Sequence, residues 1–425
     1  MVSAVQTALL TDVVVIGGGP VGLATALSFA QAGGRVVVIE CLTQAALENP
    51  PFDGREIALT HRSVRILKKI GAWAFIDSAE ISPLREARIE TGEYQHALCF
   101  DTKGYGVEAL GWLVSNHVIR RALAHAVAQQ QNITILFETE IITSPVADPV
   151  VDPMADLVAE KNWGANPWDQ KNVVLQTASG QEIRASLVVA ADGRFSPTRQ
   201  KAGIGAIVHD FKKTMLVCRM AHDIHHNNVA LQWFDEGQTI ALLPLNGLVS
   251  SLVLTLSEEE NRQKLALSQE DFNHEMTKRV GSRLGTMCRV SSCHTYPLKS
   301  VYAHRFTAPR LALVGDAAVG MHPITAHGFN LGLKGQETLV HAALESLMER
   351  GDIGAKEGLR RFEQRHRLAT APLFAGTNGI ATLYTRDEAP FRPIRQACLR
   401  LAEKTSPFKK AVTSLLMDKK KDKKT

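Results

Sequence analysis

The segment "DVVVIGGGPVGLATALSFAQAGGRVVVIE", Asp12 to Glu40, constrains this chain more than any other. Val13 to Ile16 is a β-branched run, Gly17-x-Gly19-x-x-Gly22 opens an Ala/Leu-rich helical stretch, and Arg35 to Ile39 is a second run ending in Glu40. The order strand, tight turn, helix, strand is that of a dinucleotide-binding unit. Each glycine has a steric task there: one permits the turn, one lets the backbone approach a pyrophosphate, and one lets helix and strand pack closely. The helix N-terminus then faces the phosphates. Glu40 stands where an acid accepts hydrogen bonds from the adenosine ribose. Gly17, Gly19, Pro20, Gly22 and Glu40 are therefore expected cofactor-binding residues.

NAD and FAD both use this motif, so other segments must choose between them. "LVVAADGRFSPTR", Leu187 to Arg199, is an apolar strand ending in Asp192-Gly193 and a polar turn. "LVGDAAVGMHPITAHGFNL", Leu313 to Leu331, repeats that logic: the apolar run Arg310 to Val314 meets Gly315-Asp316, and a helix begins after Gly328.

With these three segments in order, the chain resembles the FAD-dependent aromatic hydroxylases of the para-hydroxybenzoate hydroxylase-like fold. Gly17 to Gly22 resembles the family's dinucleotide motif, Ala191-Asp192-Gly193 its "DG" motif, and Gly315-Asp316 its "GD" motif. "GDAA…HP…GFNLGL" and "REIALTHRSVRILKKIGAW" are most similar to the branch acting on ubiquinone precursors, the UbiH/UbiF/Coq6 group. Val319 and the pair Ala326-His327 depart from that branch's usual wording and resemble UbiM-like members. The resemblance covers about Asp12 to about Leu383.

The family's fold is α/β: a Rossmann-like FAD domain interleaved with an antiparallel substrate sheet, followed by C-terminal helices. On this chain it implies an FAD-binding domain of residues 1–75, 110–200 and 300–345, a substrate domain of 76–109 and 201–299, and a helical region of 346–425 with a basic tail. Apolar stretches such as "TMLVCRM", "VALQWF", "TIALLPL" and "VSSLVLTL" read as the antiparallel sheet. The resemblance places Arg55 and Asn116 beside the flavin and gives Asp316 the ribityl hydroxyls. Small Ala317, Ala318 and Gly320 let the backbone pass close. Backbone N–H groups of Gly328, Phe329 and Asn330 face the reduced flavin's N1–C2=O edge. Pro323 fixes the chain beside the ring, and His322 and His327 can hydrogen-bond a phenolic substrate or the flavin edge, with a purely structural histidine as the alternative for each.

The implied reaction leaves the hard chemistry to the cofactor: NADPH or NADH reduces FAD, O2 adds at C4a, and the hydroperoxide hydroxylates an electron-rich ring. The protein must place the ring and exclude water, because a wet site releases hydrogen peroxide instead of product. The implied substrate is a lipophilic polyprenyl phenol or quinol, as for a demethoxyubiquinol hydroxylase. A hydroxylase of a soluble aromatic, or a flavoprotein that binds a partner without hydroxylating, are the alternatives. A flavin halogenase is disfavoured by the lack of W-x-W-x-x-P.

Composition narrows the remaining classes. At 425 residues and 45% hydrophobic, the chain can bury the core of two or three interleaved units. Its net charge of +5 is a tail property, since residues 391–425 hold eleven Lys/Arg against three Asp/Glu. No basic stripe or RNA-binding signature accompanies the tail, so a nucleic-acid partner is not expected. Six scattered cysteines without C-x-x-C spacing fit a reduced, cytoplasmic chain. The cluster His222, His225, His226 lacks a Cys or Glu at metal-site spacing and reads as a polar loop, so no metal is assigned. No apolar run reaches the roughly 18–20 residues of a membrane span.

Two segments fall outside the resemblance. Residues 144–172 carry four prolines and read as a surface insertion. At the C-terminus, Ile394, Ala397, Cys398 and Leu401, then Phe408, Val412, Leu415 and Leu416, precede a Lys-rich end. That pattern suits peripheral contact with the inner face of the membrane, or equally a packed terminal helix. Contact with a ubiquinone-biosynthesis complex is a further implication of the family.

Overall fold

The computed structural model describes residues 8–91, 97–146, 171–235, 238–323, 327–385, 412–414 and 416–418. The β-branched runs become the buried centre of a seven-stranded sheet. Its order is Thr307–Ala308, Leu311–Leu313, Glu182–Ala190, Leu9–Ile16, Val36–Ile39, Ile133–Leu136, with Val173–Gln176 pairing off-path onto Glu182–Ala190. The four strands from Leu311–Leu313 to Val36–Ile39 run parallel, as does Ile133–Leu136 beside them. Such strands are covered on both faces, which is why Val13, Val14, Val15 and Leu187 to Ala190 are fully buried and read as continuous apolar runs rather than alternating ones. The helices Pro20–Gln31 and Gly328–Arg350 cover the sheet and meet at glycine: a Cβ on Gly332 would lie 2.6 Å from Val21 Cγ2, and one on Gly315 3.2 Å from Val21 Cβ.

A second sheet has the order Val319–Gly320, His294–Ala303, Ala206–His222, Val249–Leu256, Gln238–Pro244, Val229–Asp235, Glu86–Thr91, Ala97–Phe100, with Met287–Arg289 also on Ala206–His222. The four apolar segments expected to build an antiparallel sheet do so, but Val229–Asp235 pairs parallel with Glu86–Thr91. Parallel neighbours need a long crossover. The whole intervening chain, which crosses into the first sheet and back, supplies it. A three-stranded sheet, Glu56–Leu59, Gly111–Ser115 and Ser82–Leu84, lies between.

The helix Lys356–Thr385 follows Gly328–Arg350 and packs along it. No helix among the described residues is long and apolar enough to cross a membrane. Of the C-terminal apolar pattern, Ile394, Ala397, Cys398, Leu401, Phe408 and Leu415 lie outside the described residues. Val412, Leu416 and Met417 pack against Leu98 and Phe100 at the second sheet's edge and against Leu110. Most of the proline-rich insertion, 147–170, is also outside the described residues. Its flanks are bonded to each other, Ile142 N to Gln176 O at 3.0 Å and Gln176 N to Thr143 Oγ1 at 3.0 Å.

Candidate functional site

Strand register brings the three motifs together. Ile16 pairs with Ile39 and with Ala190, and Ala190 with Leu313, so Gly17, Glu40, Asp192 and Gly315-Asp316 leave the sheet at one level, at the carboxyl ends of its strands. That edge is where open α/β sheets bind ligands. A cleft of about 880 Å³ lined by Asp12, Gly33, Gly34, Arg350 and Lys356 opens at the other end and holds none of the motif residues.

The first turn is sterically tight. Gly17 has φ +104°, and its hypothetical Cβ would lie 2.6 Å from Ala191 O, while Gly22's would lie 1.9 Å from Gly17 O. Gly19 differs: a Cβ there would meet nothing within 4 Å. Pro20 opens the helix, where its missing N–H leaves no bond unmade. Glu40 is buried and accepts from Gly18 N at 2.6 Å and Leu42 N at 2.8 Å. The expected ribose acceptor thus also fixes the glycine turn, and a carboxylate retains lone pairs for both tasks.

Asp192 accepts from Thr198 N at 2.9 Å through Oδ2, while its buried Oδ1 has no partner. Gly193 follows at φ +90°. An orphaned carboxylate oxygen in this loop is a costly feature for a protein alone and fits an acceptor reserved for a ligand's hydrogen-bond donor. Two arginines tie this loop to the third motif. Arg194 Nη2 donates to Asp316 Oδ2 at 3.1 Å, and its Nη1 to Lys299 O at 2.6 Å. Buried Arg199 donates through Nη1 to Ala317 O at 3.0 Å and Arg194 O at 3.1 Å. Burial lowers the Arg199 pKa, with Asp192 opposing the effect. Arg194 was not legible as a site residue, although its place directly after Asp192-Gly193 was the available signal.

Beyond Ala317 and Ala318, both buried, the chain reaches His322. Its ring centroid is 4.4 Å from that of Phe211, which in turn is 4.4 Å from His209. Burial first, then Arg194 and His209, push His322 down to about 4, so it is a neutral imidazole at physiological pH. Pro323 is exposed and His327 buried, the latter at the N-cap of Gly328–Arg350 without a side-chain cap bond. Leu331 N closes the first helical hydrogen bond, onto His327 O at 2.9 Å. The amides of Gly328, Phe329 and Asn330 therefore precede the helix ladder and form a positive end. The Asn330 side chain is engaged elsewhere, accepting from Ser63 Oγ at 2.6 Å and Thr60 N at 3.1 Å and donating to Ala58 O at 2.8 Å.

Arg55 and Asn116 meet through a residue that sequence reasoning missed. Asp53 Oδ2 accepts from Arg55 Nη2 at 2.6 Å and from Asn116 Nδ2 at 2.7 Å, and Asn116 N donates to Arg55 O at 2.9 Å. Tyr296 completes the cluster, its hydroxyl on Asp53 O at 2.6 Å and its ring 5.3 Å under the Arg55 guanidinium. Burial raises the Asp53 pKa, but bonds from Arg55 and Asn116 outweigh it and hold the carboxyl below its usual range. Next in sequence, Glu56, whose side chain is buried, accepts from Arg219 Nη2 at 2.7 Å and from Ser115 Oγ at 2.7 Å, which pins this loop to the second sheet. Nothing in the sequence pairs residues 163 positions apart. In the histidine cluster, His222 Nε2 meets Ser250 Oγ at 2.9 Å and His226 Nε2 meets Leu245 O at 2.7 Å.

Buried neutral histidines make stability pH-dependent. His366, stacked on Phe362, is held at about 4 by burial and by Lys334, and His322 at the same value. Both folded values lie below the ordinary value near 6.5, so between these limits the unfolded chain binds protons that the folded one does not. Stability should be complete above about pH 6.5 and fall toward pH 4, by up to about 3 kcal/mol per histidine. Denaturant midpoints at pH 7.5, 6.0 and 5.0 check this, and a flat profile would refute it.

The FAD binding domain family matches residues 10–369. The chain is 39% identical over 412 residues to "Ubiquinone hydroxylase UbiM" of Neisseria meningitidis, covering 96% of this chain and 85% of that protein. It is 31% identical to "Ubiquinone hydroxylase UbiL" of Rhodospirillum rubrum, covering 94% of this chain and 88% of the relative. Among solved structures, p-nitrophenol 4-monooxygenase PnpA from Pseudomonas putida has the same fold, with a TM-score of 0.72 at 19% identity, covering 98% of this chain and 100% of that one.

Proposed function

Because this chain belongs to the FAD binding domain family and is an FAD-dependent aromatic-ring monooxygenase, we propose that it hydroxylates the ring of a lipophilic polyprenyl phenol or quinol in ubiquinone biosynthesis. The observation that carries the reading is the convergence of Gly17, Asp192 and Asp316 at one level of the sheet, in a chain related over nearly its whole length to ubiquinone hydroxylases.

In this reading the turn Gly17–Gly22 and the N-terminus of Pro20–Gln31 receive the pyrophosphate, Glu40 the ribose and Asp316 the ribityl chain. Asp192 and Gly193 supply the adjoining acceptor and close approach, and the amides of Gly328, Phe329 and Asn330 face the ring system. Bound FAD supplies the redox and oxygen chemistry, with NAD(P)H and O2 as co-substrates. The chain's own work is placement. Arg194 and Arg199 hold two motif loops as one body, Asp53 and Tyr296 fix Arg55 beside Asn116, and the apolar second sheet walls off water. Neutral His322 orients a hydroxyl rather than donating a full proton. We assign the Lys-rich tail to contact with an anionic membrane surface, which brings the enzyme to a lipid-borne substrate.

The test is a quinone-lipid profile, by mass spectrometry, of bacterial strains each lacking one ring hydroxylase and each expressing this chain. Loss of an accumulated intermediate with return of ubiquinone is expected, and the rescued strain identifies the ring carbon. Unchanged profiles in every strain, with the flavin-loaded protein present, would overturn the substrate assignment in favour of a soluble aromatic.

A further inference from the structure

Two thiols have no part in the site described above. Cys218, in the strand Ala206–His222, is fully buried in the second sheet's apolar cluster with Leu216, Met220, Leu242 and Leu252, and its Sγ lies 3.8 Å from Met220 Sδ. Cys293 directly precedes the strand His294–Ala303, packs on the rim of the same cluster and is partly exposed. Val217 pairs with His294, which sets Cys293 beside Cys218, while Met220 pairs with Arg289. The four residues 290–293 therefore face only two, Cys218 and Arg219. That is a bulge, and it frees the outer strand to turn one sulfur toward the other. Facing residues of antiparallel strands lie about 4.5–5.5 Å apart at Cα, within the range a disulfide spans.

Arg289 supplies the missing polarity. Its Nη1 donates to Cys293 Sγ at 3.5 Å, and its guanidinium is held 5.1 Å over the Phe272 ring. Its amide donates to Asn273 Oδ1 at 2.8 Å. A fixed cation thus donates its hydrogen bond to the outer sulfur. Interaction with the Cys218 thiol, and then with Arg289, outweighs burial and brings the Cys293 thiol down to about 6, while Cys218 is pushed up. The outer sulfur is the nucleophile and the inner one keeps its proton. Cys41 is exposed as well, but burial and Glu40 raise its pKa.

We infer that Cys218 and Cys293 form a peroxide-reactive pair, in which Cys293 is oxidised by hydrogen peroxide and Cys218 resolves it as a disulfide. In the first step the Cys293 thiolate attacks peroxide: the O–O bond breaks, an S–O bond forms, and after protonation water leaves with Cys293 as a sulfenic acid. In the second, the Cys218 sulfur attacks that sulfur, the S–O bond breaks, the S–S bond forms, and a second water leaves. In sum, two thiols and one peroxide give one disulfide and two waters, the sulfurs losing the two electrons that peroxide gains. The oxidant is what a ring hydroxylase releases when water enters its site, and only for that source does the inference rest on the proposed function.

The experiment adds the oxidant directly, so its outcome is independent of which ring is hydroxylated. The purified, reduced, full-length flavoprotein is exposed to a slight excess of hydrogen peroxide, quenched with an alkylating reagent and mapped by mass spectrometry. A Cys218–Cys293 disulfide, formed before any other cysteine is oxidised and reversed by dithiothreitol, is expected. In Cys218→Ser, dimedone should trap a sulfenic acid on Cys293; in Cys293→Ser, Cys218 should stay a thiol. Arg289→Gln should slow the oxidation several-fold at pH 7, with the difference vanishing above about pH 9, where an ordinary thiol is already ionised. Recovery of Cys218 and Cys293 as free thiols after exposed Cys288 has been oxidised, or pairing of Cys293 with another cysteine, would overturn the inference.

Discussion

Gly22→Ala should purify without its flavin. The added methyl would sit 1.9 Å from Gly17 O and 3.1 Å from Gly17 C, both backbone atoms that cannot swing aside. Nor can the turn retreat, because Gly17 already lies against Ala191 and adopts φ +104°. The helix start must move, and the pyrophosphate site with it. We expect FAD affinity to fall at least about a hundredfold, roughly 2.7 kcal/mol, read from flavin absorbance per protein and by titration of the apoprotein. Gly19→Ala separates the two possible causes. Position 19 has φ −67° and ψ 173°, conformations open to any residue, and no atom within 4 Å of the new Cβ. The apoprotein's stability should be unchanged, so weaker flavin binding there reports the approach of a ligand alone. A Gly22→Ala protein with its full flavin content would refute the placement.

Asp352→Ala should destabilise the fold more than any exposed substitution. Arg310 is 1% exposed, and its guanidinium donates to Asp352 Oδ1 at 2.8 Å and Oδ2 at 2.7 Å, with Ser186 O accepting at 3.0 Å. Asp352 is half-buried, and its removal leaves the buried Arg310 charge desolvated with Ser186 O as a remaining acceptor, at a cost of about 3 kcal/mol. Arg310 directly precedes the strand Leu311–Leu313, and its carbonyl accepts from Val188 N at 2.8 Å. The loss therefore propagates to Gly315-Asp316 and to flavin retention. Replacing both partners, as Arg310→Met with Asp352→Leu, should recover most of the stability, since no uncompensated charge remains. Denaturant midpoints of the three variants measure this. Equal midpoints for Asp352→Ala and the parent would show that the pair contributes nothing. Burial raises the Asp352 pKa, but Arg310 and the Gly354 amide outweigh it, so the carboxyl sits below its ordinary value. The pair's contribution is thus present above the usual carboxylate range and lost as pH falls through the depressed value.

What the sequence displayed was whatever depends on neighbours along the chain. Glycine spacing, β-branched runs and an acid after an apolar strand are local, and they single out Gly17 to Gly22, Asp192 and Asp316, which the strand register brings to one edge of the sheet. The second sheet was legible from its short, β-rich apolar segments. Its parallel pair, Val229–Asp235 on Glu86–Thr91, was not, because direction there depends on the path of the whole chain between. Asp53, Tyr296, Glu56 and Arg219 escaped notice for the same reason. Each is an ordinary residue in its own segment, and only tertiary register places Tyr296 on Asp53 or Arg219 on Glu56. The Asn330 side chain is an intermediate case: its helix start was legible, its three bonds to residues 58–63 were not.

The alignment of motif loops across the first sheet has a consequence for biosynthesis. Gly17 emerges from the ribosome 299 residues before Asp316, yet both belong to one edge of one sheet. At about 5–20 residues per second, roughly 15–60 s separate them. Through that interval the first glycine turn and its helix, joined later by the strand Glu182–Ala190, exist without the strand Leu311–Leu313 that completes the cradle. Truncation before Leu311 leaves the strand Glu182–Ala190 as an open parallel edge, the kind of surface that pairs with other chains. A cell's supply of flavin can therefore act on this protein only after Asp316 has been made, and messages cut short before Leu311 would yield aggregating fragments rather than weak enzymes.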